Sequence, residues 1–225
     1  MMETITVKRL DWLCMATAAL ALAGCEGMAA KKPVAVAPAP VSKSAAWKAI
    51  ASEADQDRIS NVTGAWAAGL SAAQRNFGSA IRDEGALLKE NAALARPDPT
   101  PGSYRCRVIS LGATAKGKPA FERFKPFFCY VQVENDLLTI VKQTGSQRPA
   151  GRLWADDNPK RLVFLGSLAL GNEDEVLAYG DDRKRDMAGI FERVGPFRWR
   201  LVIPWPQDGA KLQVFELTPV ADQPE

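Results

Sequence analysis

The residues in this sequence that are best suited to catalysis are carboxylates, because none of the 225 residues is a histidine. The absence of histidine excludes Ser-His-Asp and Cys-His constellations and the His-Glu-x-x-His zinc site. Two mechanisms remain, a pair of carboxylates as in glycosidases and a serine activated by a lysine. The clustered carboxylates are Asp181, Asp182, Asp186 and Glu192. Their spacing is diagnostic of neither mechanism, so we assign no catalytic residue.

An acidic stretch between residues 173 and 186 is a second candidate for chemistry, in this case calcium binding. Its members are Glu173, Asp174, Glu175, Asp181, Asp182 and Asp186. The stretch lacks the alternating oxygen ligands and the central glycine of a calcium-binding loop, so we predict no metal and no cofactor. Asn172, with Glu175 three residues later, indicates a helix start. A solvated helix that runs towards Tyr179 explains the acidic residues better.

Polar residues in two segments are candidate binding residues. Segment 144–149 contains the glycine, serine and proline that a turn between strands needs, and the alternative is that it lines the mouth of a barrel. In the second segment, Glu192, Arg198 and Arg200 predict a charged ladder in one hairpin, for which a structural role is the alternative to binding. The full set of candidates is Ser146, Gln147, Arg148, Asp186, Glu192, Arg198 and Arg200.

The first 25 residues have the pattern of an export signal. Lys8 and Arg9 precede a run of apolar and small residues over 12–24, which is too short for a comfortable transmembrane helix. The run ends in Leu-Ala-Gly-Cys, which resembles the bacterial lipobox, whose cysteine is acylated. We therefore predict a signal peptide over 1–24 and a lipid anchor on Cys25, which would hold the protein in the bacterial cell envelope, facing the periplasm. The alternative is cleavage after Ala29, which would give a soluble periplasmic protein.

The four cysteines indicate one disulfide. Cys14 lies in the predicted signal and Cys25 is the predicted lipid site, which leaves Cys106 and Cys129 as a pair in an oxidising compartment. Both occupy apolar positions of β-like runs, so their sulfur atoms can face the same interior. The alternative, a catalytic or redox thiol, has neither a Cys-x-x-Cys motif nor a recognisable base.

Composition and length fit one domain on a tether. The net charge of +3 consists of alternating signs rather than a basic stripe, so we predict no nucleic-acid partner. Proline and alanine dominate 25–43 and favour an extended tether. The predicted domain covers 44–219, with helices over about 45–94 and a β section over about 103–219, and a tail follows at 220–225.

The hydrophobic period changes from helical to alternating at the proline-rich segment 97–102. Before it, Ser52 is a predicted N-cap and two apolar stripes predict two helices. The first stripe is Ile59, Val62, Trp66 and Leu70, and the second is Phe77, Ile81, Leu87 and Leu88. After it, the predicted strands are 104–111, 127–133, 137–143, 152–154, 161–170, 189–194, 198–203 and 212–217. The predicted fold class is α+β, an N-terminal helical segment followed by an antiparallel β-barrel or β-sandwich of about seven to eight strands.

The last predicted hairpin is specific enough to give a register. A three-residue loop at 195–197 sets Glu192 opposite Arg200 and Arg193 opposite Trp199, whereas a two-residue loop would place like charges side by side. The same register puts Trp199 on the core side. If the pair of Glu192 and Arg200 is exposed, we expect it to contribute less than about 1 kcal/mol.

Four blocks of the sequence resemble a known family. They are Tyr-Arg-Cys-Arg-Val-Ile-Ser-Leu-Gly at 104–112, Thr-Gly-Ser-Gln-Arg-Pro at 144–149, Val-Phe-Leu-Gly at 163–166, and Arg-Asp-Met-Ala-Gly-Ile-Phe-Glu-Arg-Val-Gly-Pro-Phe-Arg-Trp-Arg-Leu-Val-Ile-Pro at 185–204. With these blocks the chain resembles the family catalogued as domain of unknown function 4893 over about 47–219. The resemblance implies a bacterial envelope protein, often with a lipoprotein-type signal and without an established activity, so it carries over no catalytic residue. The strand pattern is also similar to small calycin-like barrels, which include periplasmic protease and lysozyme inhibitors.

Two classes of function are consistent with the sequence. A β domain without histidine on a lipid tether is suited to binding, so we expect a non-enzymatic binding or protein-interaction module. Its expected partners are the membrane, through the lipid anchor, and an envelope protein. The alternative is an envelope hydrolase that uses paired carboxylates. Two close carboxylates in a buried pocket would favour the hydrolase, and an exposed apolar patch would favour the binding module.

Overall fold

The chain after residue 101, where apolar residues alternate with polar ones or form short runs, folds into nine antiparallel strands, and helices precede them. A computed structural model describes residues 41–144, 147–171, 173 and 176–221. The strands are β1 Gly102–Leu111, β2 Phe121–Arg123, β3 Phe127–Glu134, β4 Leu137–Lys142, β5 Gln147–Ala155, β6 Arg161–Leu170, β7 Asp186–Gly195, β8 Arg198–Pro204 and β9 Leu212–Pro219. The helices are α1 Ser44–Lys48, α2 Glu53–Ser60 and α3 Val62–Asp83, followed by the 3₁₀ turns Gly85–Leu88 and Glu90–Ala92.

Eight of the strands close into a barrel. They pair in the order β1-β3-β4-β5-β6-β7-β8-β9, and β9 pairs back onto β1 from Tyr104↔Pro219 to Leu111↔Leu212. Closure removes the unpaired edges that an open sheet would expose. The short β2 pairs with the last residues of β1 and extends the wall at one end. The predicted α+β class is confirmed, and its β section is a barrel rather than a sandwich.

The inward-facing side chains of the strands form the core of the barrel. The predicted disulfide between Cys106 and Cys129 is confirmed in this core, where it joins β1 to β3 with the two Cα atoms 6.0 Å apart. The two cysteines are 23 residues apart in the chain. A cross-link over a loop of that length stabilises the fold by about 3 kcal/mol in the chain-entropy model.

The helices pack on the outside of the barrel and form a second core there. Ile59, Val62 and Trp66 are buried on this outer wall, as their helical spacing predicts. The predicted N-cap is confirmed, because the Ser52 side chain accepts a hydrogen bond from the Asp55 N–H at 3.2 Å. Within the described ranges, no helix is long and apolar enough to cross a membrane.

The helical section divides differently from the prediction. The first predicted helix is two helices, because the chain leaves helical geometry at Asn61 between α2 and α3. The second predicted helix is the continuation of α3, which passes through a non-helical Phe77. Leu87 and Leu88 lie in a 3₁₀ turn instead, because Gly85 adopts a φ of 58° that ends the α-helix.

Arg200 attaches the two 3₁₀ turns, which together with Lys89 we call the 3₁₀ segment (residues 85–92), to the outer wall of the barrel. Its side chain is 0% exposed, its Nε donates to Glu192 at 2.7 Å, and its guanidinium lies 4.8 Å from the centre of the Trp66 ring. Its remaining donors reach the carbonyl oxygens of Ala86, Leu87, Lys89 and Glu90 at 2.7–3.3 Å. Burial lowers the pKa of the guanidinium, and the charge of Glu192 opposes this effect. The pair with Glu192 is therefore buried. The small contribution to stability that was predicted for an exposed pair does not apply to it.

One strand is missing from the prediction, and another begins five residues earlier than predicted. The sequence analysis misses β2, which has only three residues and stops just before Lys125 and Pro126. β5 begins at Gln147 rather than at residue 152, because Pro149 and Gly151 lie inside the strand although both are typical of turns. The turn predicted over 144–149 is therefore wrong for 147–149, which belong to β5.

The acidic stretch is not a helix where the structure describes it. Residues 176–179 have no helical geometry, and Asp186 is the first residue of β7. Asp186 is also only 5% exposed, so it does not belong to a solvated face. Asp186 is the start of β7 because it directly precedes Met187 and Ala188, which already have strand geometry.

The predicted hairpin register is confirmed for the four pairs from Ile190↔Val202 to Arg193↔Trp199. Trp199 lies in the barrel core, also as predicted. The loop itself has two residues instead of three, because the pairing shifts at Val194. This bulge supplies the extra residue that the predicted loop would have supplied, so the register is kept.

Several predictions fall outside the described residues. They concern the signal peptide over 1–24, Cys25, Ser146, Asn172, Asp174, Glu175 and most of the tether and tail. The described end of the tether already contacts the domain. The Ser42 hydroxyl and the Lys43 N–H both donate to Asp157 at 2.7 Å.

Candidate functional site

The barrel has a cavity of about 550 Å³ at one of its ends, which we call the mouth cavity. This volume lies within the range of about 300–1,000 Å³ that is typical of small-molecule sites. All eight barrel strands contribute to its wall, through Val108, Phe127, Lys142, Pro149, Leu168, Met187, Ile203 and Phe215. Seven of these eight side chains are apolar. The cavity is therefore a continuation of the barrel core that is open to solvent.

Large side chains fill the other end of the barrel. Tyr104 and Trp199 meet edge to face there, with ring centres 5.9 Å apart. The ring of Phe164 packs in the middle of the core, where Gly151 and Gly166 face each other on β5 and β6. A Cβ atom on either glycine would lie 2.7 Å from this ring, so the two glycines make the space that it occupies. The barrel is therefore closed at the end that contains Tyr104 and Trp199 and open at the end that contains the mouth cavity.

Lys142 is the one charged residue of that eight-residue wall. Along β4 it follows Leu138 and Ile140 on the inward face, so its side chain enters the barrel rather than solvent. Its Nζ lies 4.2 Å from the centre of the Phe127 ring. No described residue forms an ion pair with it. Burial lowers the pKa of the Lys142 amine, which is the electrostatic cost of placing the amine there.

The remaining charged residues at the mouth are mostly basic. Arg58 and Arg185 are already paired, with Asp55 and with Glu173 and Asp182 respectively. Three exposed lysines, Lys118, Lys125 and Lys184, form no ion pair within the part of the chain that the structure describes. The acidic residues of the lining are Asp186 and Asp208. The mouth is therefore apolar inside and carries an excess of positive charge.

Comparison with known families assigns this domain. The family model described as "Domain of unknown function (DUF4893)" matches residues 47–217. The chain belongs to this family. No curated protein and no solved structure matches the chain. The match covers the end of α1, all of α2 and α3, and the whole barrel except the last two residues of β9, so the mouth cavity lies within the DUF4893 domain.

Asp186 is the buried carboxyl of the DUF4893 mouth. Its Oδ1 accepts a hydrogen bond from the Gly180 N–H at 2.9 Å. Burial raises the pKa of this carboxyl, the Gly180 N–H opposes the rise, and the charges of Asp55 and Asp182 add to it. Glu192 lies six residues further along β7, which corresponds to about 20 Å in a strand. The structure therefore does not bring Asp186 and Glu192 together as a catalytic pair.

The other predicted binding residues divide between the mouth and the outer wall. Gln147 lines the mouth cavity together with Asp186. Arg148 follows it on the opposite face of β5 and donates to the carbonyl oxygen of Gly171 at 2.8 Å. The charged residues of the last hairpin lie on the outer wall, where Arg198 pairs with Glu216 and Arg200 with Glu192. The predicted ladder is therefore two separate ion pairs.

Lys142 is a mouth residue that the sequence analysis missed. A signal for it exists, because the run Leu-Leu-Thr-Ile-Val-Lys places a lysine two residues after Ile140 and four after Leu138. In a strand, these three residues face the same side. A lysine on the apolar face of a strand must reach the end of the core or bind a partner there.

Proposed function

We propose that the protein is a non-enzymatic binding module of the bacterial envelope and that its barrel holds a small apolar or amphipathic ligand in the mouth cavity. The observation that carries this proposal is the cavity itself, to which each of the eight barrel strands contributes an inward side chain, apolar in seven cases, while polar and charged residues surround the opening. Concave apolar sites with a few polar groups are the usual form of a ligand site. A barrel built only for rigidity would fill this end with side chains, as it does at Tyr104 and Trp199.

The carboxylates at the mouth support binding over hydrolysis. Asp186 is engaged by the Gly180 N–H, and Asp208 accepts from the Ala210 N–H and the Gln213 side chain at 3.1 and 2.7 Å. Both groups therefore serve local structure. A hydrolase of the paired-carboxylate type needs two carboxyl groups that face one scissile bond.

Binding of the uncharged fluorescent probe N-phenyl-1-naphthylamine to the purified full chain tests this function. We expect a saturable rise in fluorescence, because the probe is apolar and the mouth cavity is large enough for it. Leu168→Trp fills the cavity and should weaken binding about tenfold or more, which corresponds to 1.4 kcal/mol or more. Val133→Trp is the control, since Val133 is 61% exposed and lies outside the mouth. The proposed function would be refuted if the fluorescence with the wild-type chain rose linearly with probe concentration and did not saturate.

We also propose that Cys25 carries a lipid anchor, supported by the Leu-Ala-Gly-Cys motif at 22–25. Cys25→Ala should move the protein from the detergent phase to the aqueous phase or leave it uncleaved, because the acyl chains would be its apolar attachment. Cys14→Ala is the matched control, because it changes a cysteine inside the predicted signal and should leave the partitioning unchanged. Phase partitioning in a cloud-point detergent gives the result, and a wild-type protein found only in the aqueous phase would exclude the anchor.

A further inference from the structure

We infer that the ligand of the mouth cavity is an amphipathic anion, with one carboxylate or phosphate group on an apolar chain, and that Lys142 binds the anionic group. This inference rests on the proposed function and adds the chemical class of the ligand. Its parts are the position of Lys142, the charge around the mouth and the apolar character of the cavity wall.

Lys142 is placed as a ligand anchor rather than as a surface lysine. Its strand directs the side chain into the barrel, and the Nζ lies over the Phe127 ring at 4.2 Å. Lys142 also lines a small void of about 10 Å³ beneath the mouth cavity, together with Phe164. A partly buried ammonium group without a carboxylate partner is costly, and an anion that binds beside it offsets that cost.

The charges around the mouth favour a negatively charged ligand. The three rim lysines that form no ion pair among the described residues, Lys118, Lys125 and Lys184, attract anions towards the opening. The two acidic residues of the lining, Asp186 and Asp208, offset only part of this charge, because Lys142 and the three rim lysines outnumber them. A cationic ligand would be repelled by this excess of positive charge.

The wall beyond Lys142 selects an apolar body for the ligand. The side chains of Phe127, Leu168, Met187 and Phe215 present no hydrogen-bonding group to the cavity. Against these four side chains, a fully polar anion such as inorganic phosphate or a sugar phosphate would lose its hydration without new hydrogen bonds. An acyl or alkyl chain instead gains about 0.8 kcal/mol for each methylene group that it buries. A ligand with one anionic end and one apolar end therefore matches both Lys142 and the apolar wall.

The test is competition for N-phenyl-1-naphthylamine on the purified full chain in detergent-free buffer. The competitors share one twelve-carbon chain and differ in the head group: dodecanoate, dodecyl phosphate, dodecan-1-ol and dodecyltrimethylammonium. We expect dodecanoate or dodecyl phosphate to bind at least about tenfold more tightly than dodecan-1-ol, because a charged hydrogen bond is worth about 1.5–3 kcal/mol. The better of the two anions identifies whether the source is a fatty acid or a phosphate-bearing lipid.

Three variants assign the preference to Lys142. Lys142→Met keeps the length of the side chain without its charge and should reduce anion affinity at least about tenfold, with probe affinity changed less than about twofold. Lys142→Arg keeps the charge and should retain the preference for anions. Lys160→Met is the control, because Lys160 is an exposed lysine outside the mouth and should change nothing.

The outcomes separate the inference from the proposed function. If the probe binds but dodecan-1-ol competes as well as dodecanoate, the ligand class is wrong and the binding function stands. The same holds if Lys142→Met keeps the full preference for anions. If Lys142→Met fails to fold, the wild-type comparison of dodecanoate with dodecan-1-ol and dodecyltrimethylammonium decides alone. If the probe itself does not bind, the proposed function is overturned.

Discussion

Arg200→Ala should lower the free energy of unfolding by about 3–5 kcal/mol, because it removes one partner of a buried ion pair and leaves the other uncompensated. Glu192 would lose the guanidinium at 2.7 Å, and the carbonyl oxygens of the 3₁₀ segment would lose their donors. The Trp66 ring would lose the cation beside it. Urea unfolding monitored by tryptophan fluorescence measures the difference.

Arg105→Ala is the matched control for this prediction. Arg105 is an exposed arginine on β1, and a substitution there should change stability by no more than about 0.5 kcal/mol. The double variant Arg200→Met with Glu192→Leu tests the mechanism, because removal of both charges should recover part of the stability that either single change costs. An Arg200→Ala protein within about 1 kcal/mol of the wild type would mean that the 3₁₀ segment does not depend on this side chain.

Trp199→Ala should cost about 3–5 kcal/mol, because it replaces a large buried ring in the barrel core by a methyl group. Trp199 packs against Tyr104 at the closed end, so the substitution opens a cavity that no nearby loop can fill. The measurement is again urea unfolding, followed here by far-ultraviolet circular dichroism because the variant lacks one tryptophan.

Phe197→Ala is the control in the same hairpin. Phe197 is 74% exposed at the tip, two residues before Trp199, and its truncation should be nearly neutral. Trp199→Ala also separates stability from binding, since its site lies at the end of the barrel opposite the mouth cavity. Where the variant remains folded, it should bind N-phenyl-1-naphthylamine as the wild type does. A harmless Trp199→Ala would contradict the core position of the ring.

Most barrel strands were predictable because their apolar residues either alternate or form short runs between turn residues. Alternation is clear in β3 and includes Cys129, whereas β6 and β8 carry consecutive apolar residues because both of their faces are covered. The hairpin register was predictable because opposite charges and a core tryptophan agreed on one pairing. The prediction failed where residues typical of turns lie inside a strand. Pro149 and Gly151 look like turn residues, yet one lines the mouth and the other makes room for Phe164.

The burial of charged residues was not predictable from local pattern. The pairing of Arg200 with Glu192 follows from strand register, but its burial depends on the 3₁₀ segment, more than 100 residues earlier in the chain. The importance of Lys142 likewise depends on seven other strands that surround its side chain with apolar residues. Local sequence places such residues on a face of a strand, and only the tertiary fold determines what covers that face.

The barrel closes only when β9, the last strand in sequence order, pairs with β1. Arg107 and Glu216 face each other across this junction, 109 residues apart in the chain. Closing a loop of that length costs about 4 kcal/mol in chain entropy, compared with about 3 kcal/mol for the loop between the two cysteines. During synthesis from the N-terminus, the sheet stays open along β1 and β8 until the eight residues of β9 are added. A chain that is cut short before Leu212 would keep both edges exposed, and exposed edges are where sheets pair with other chains.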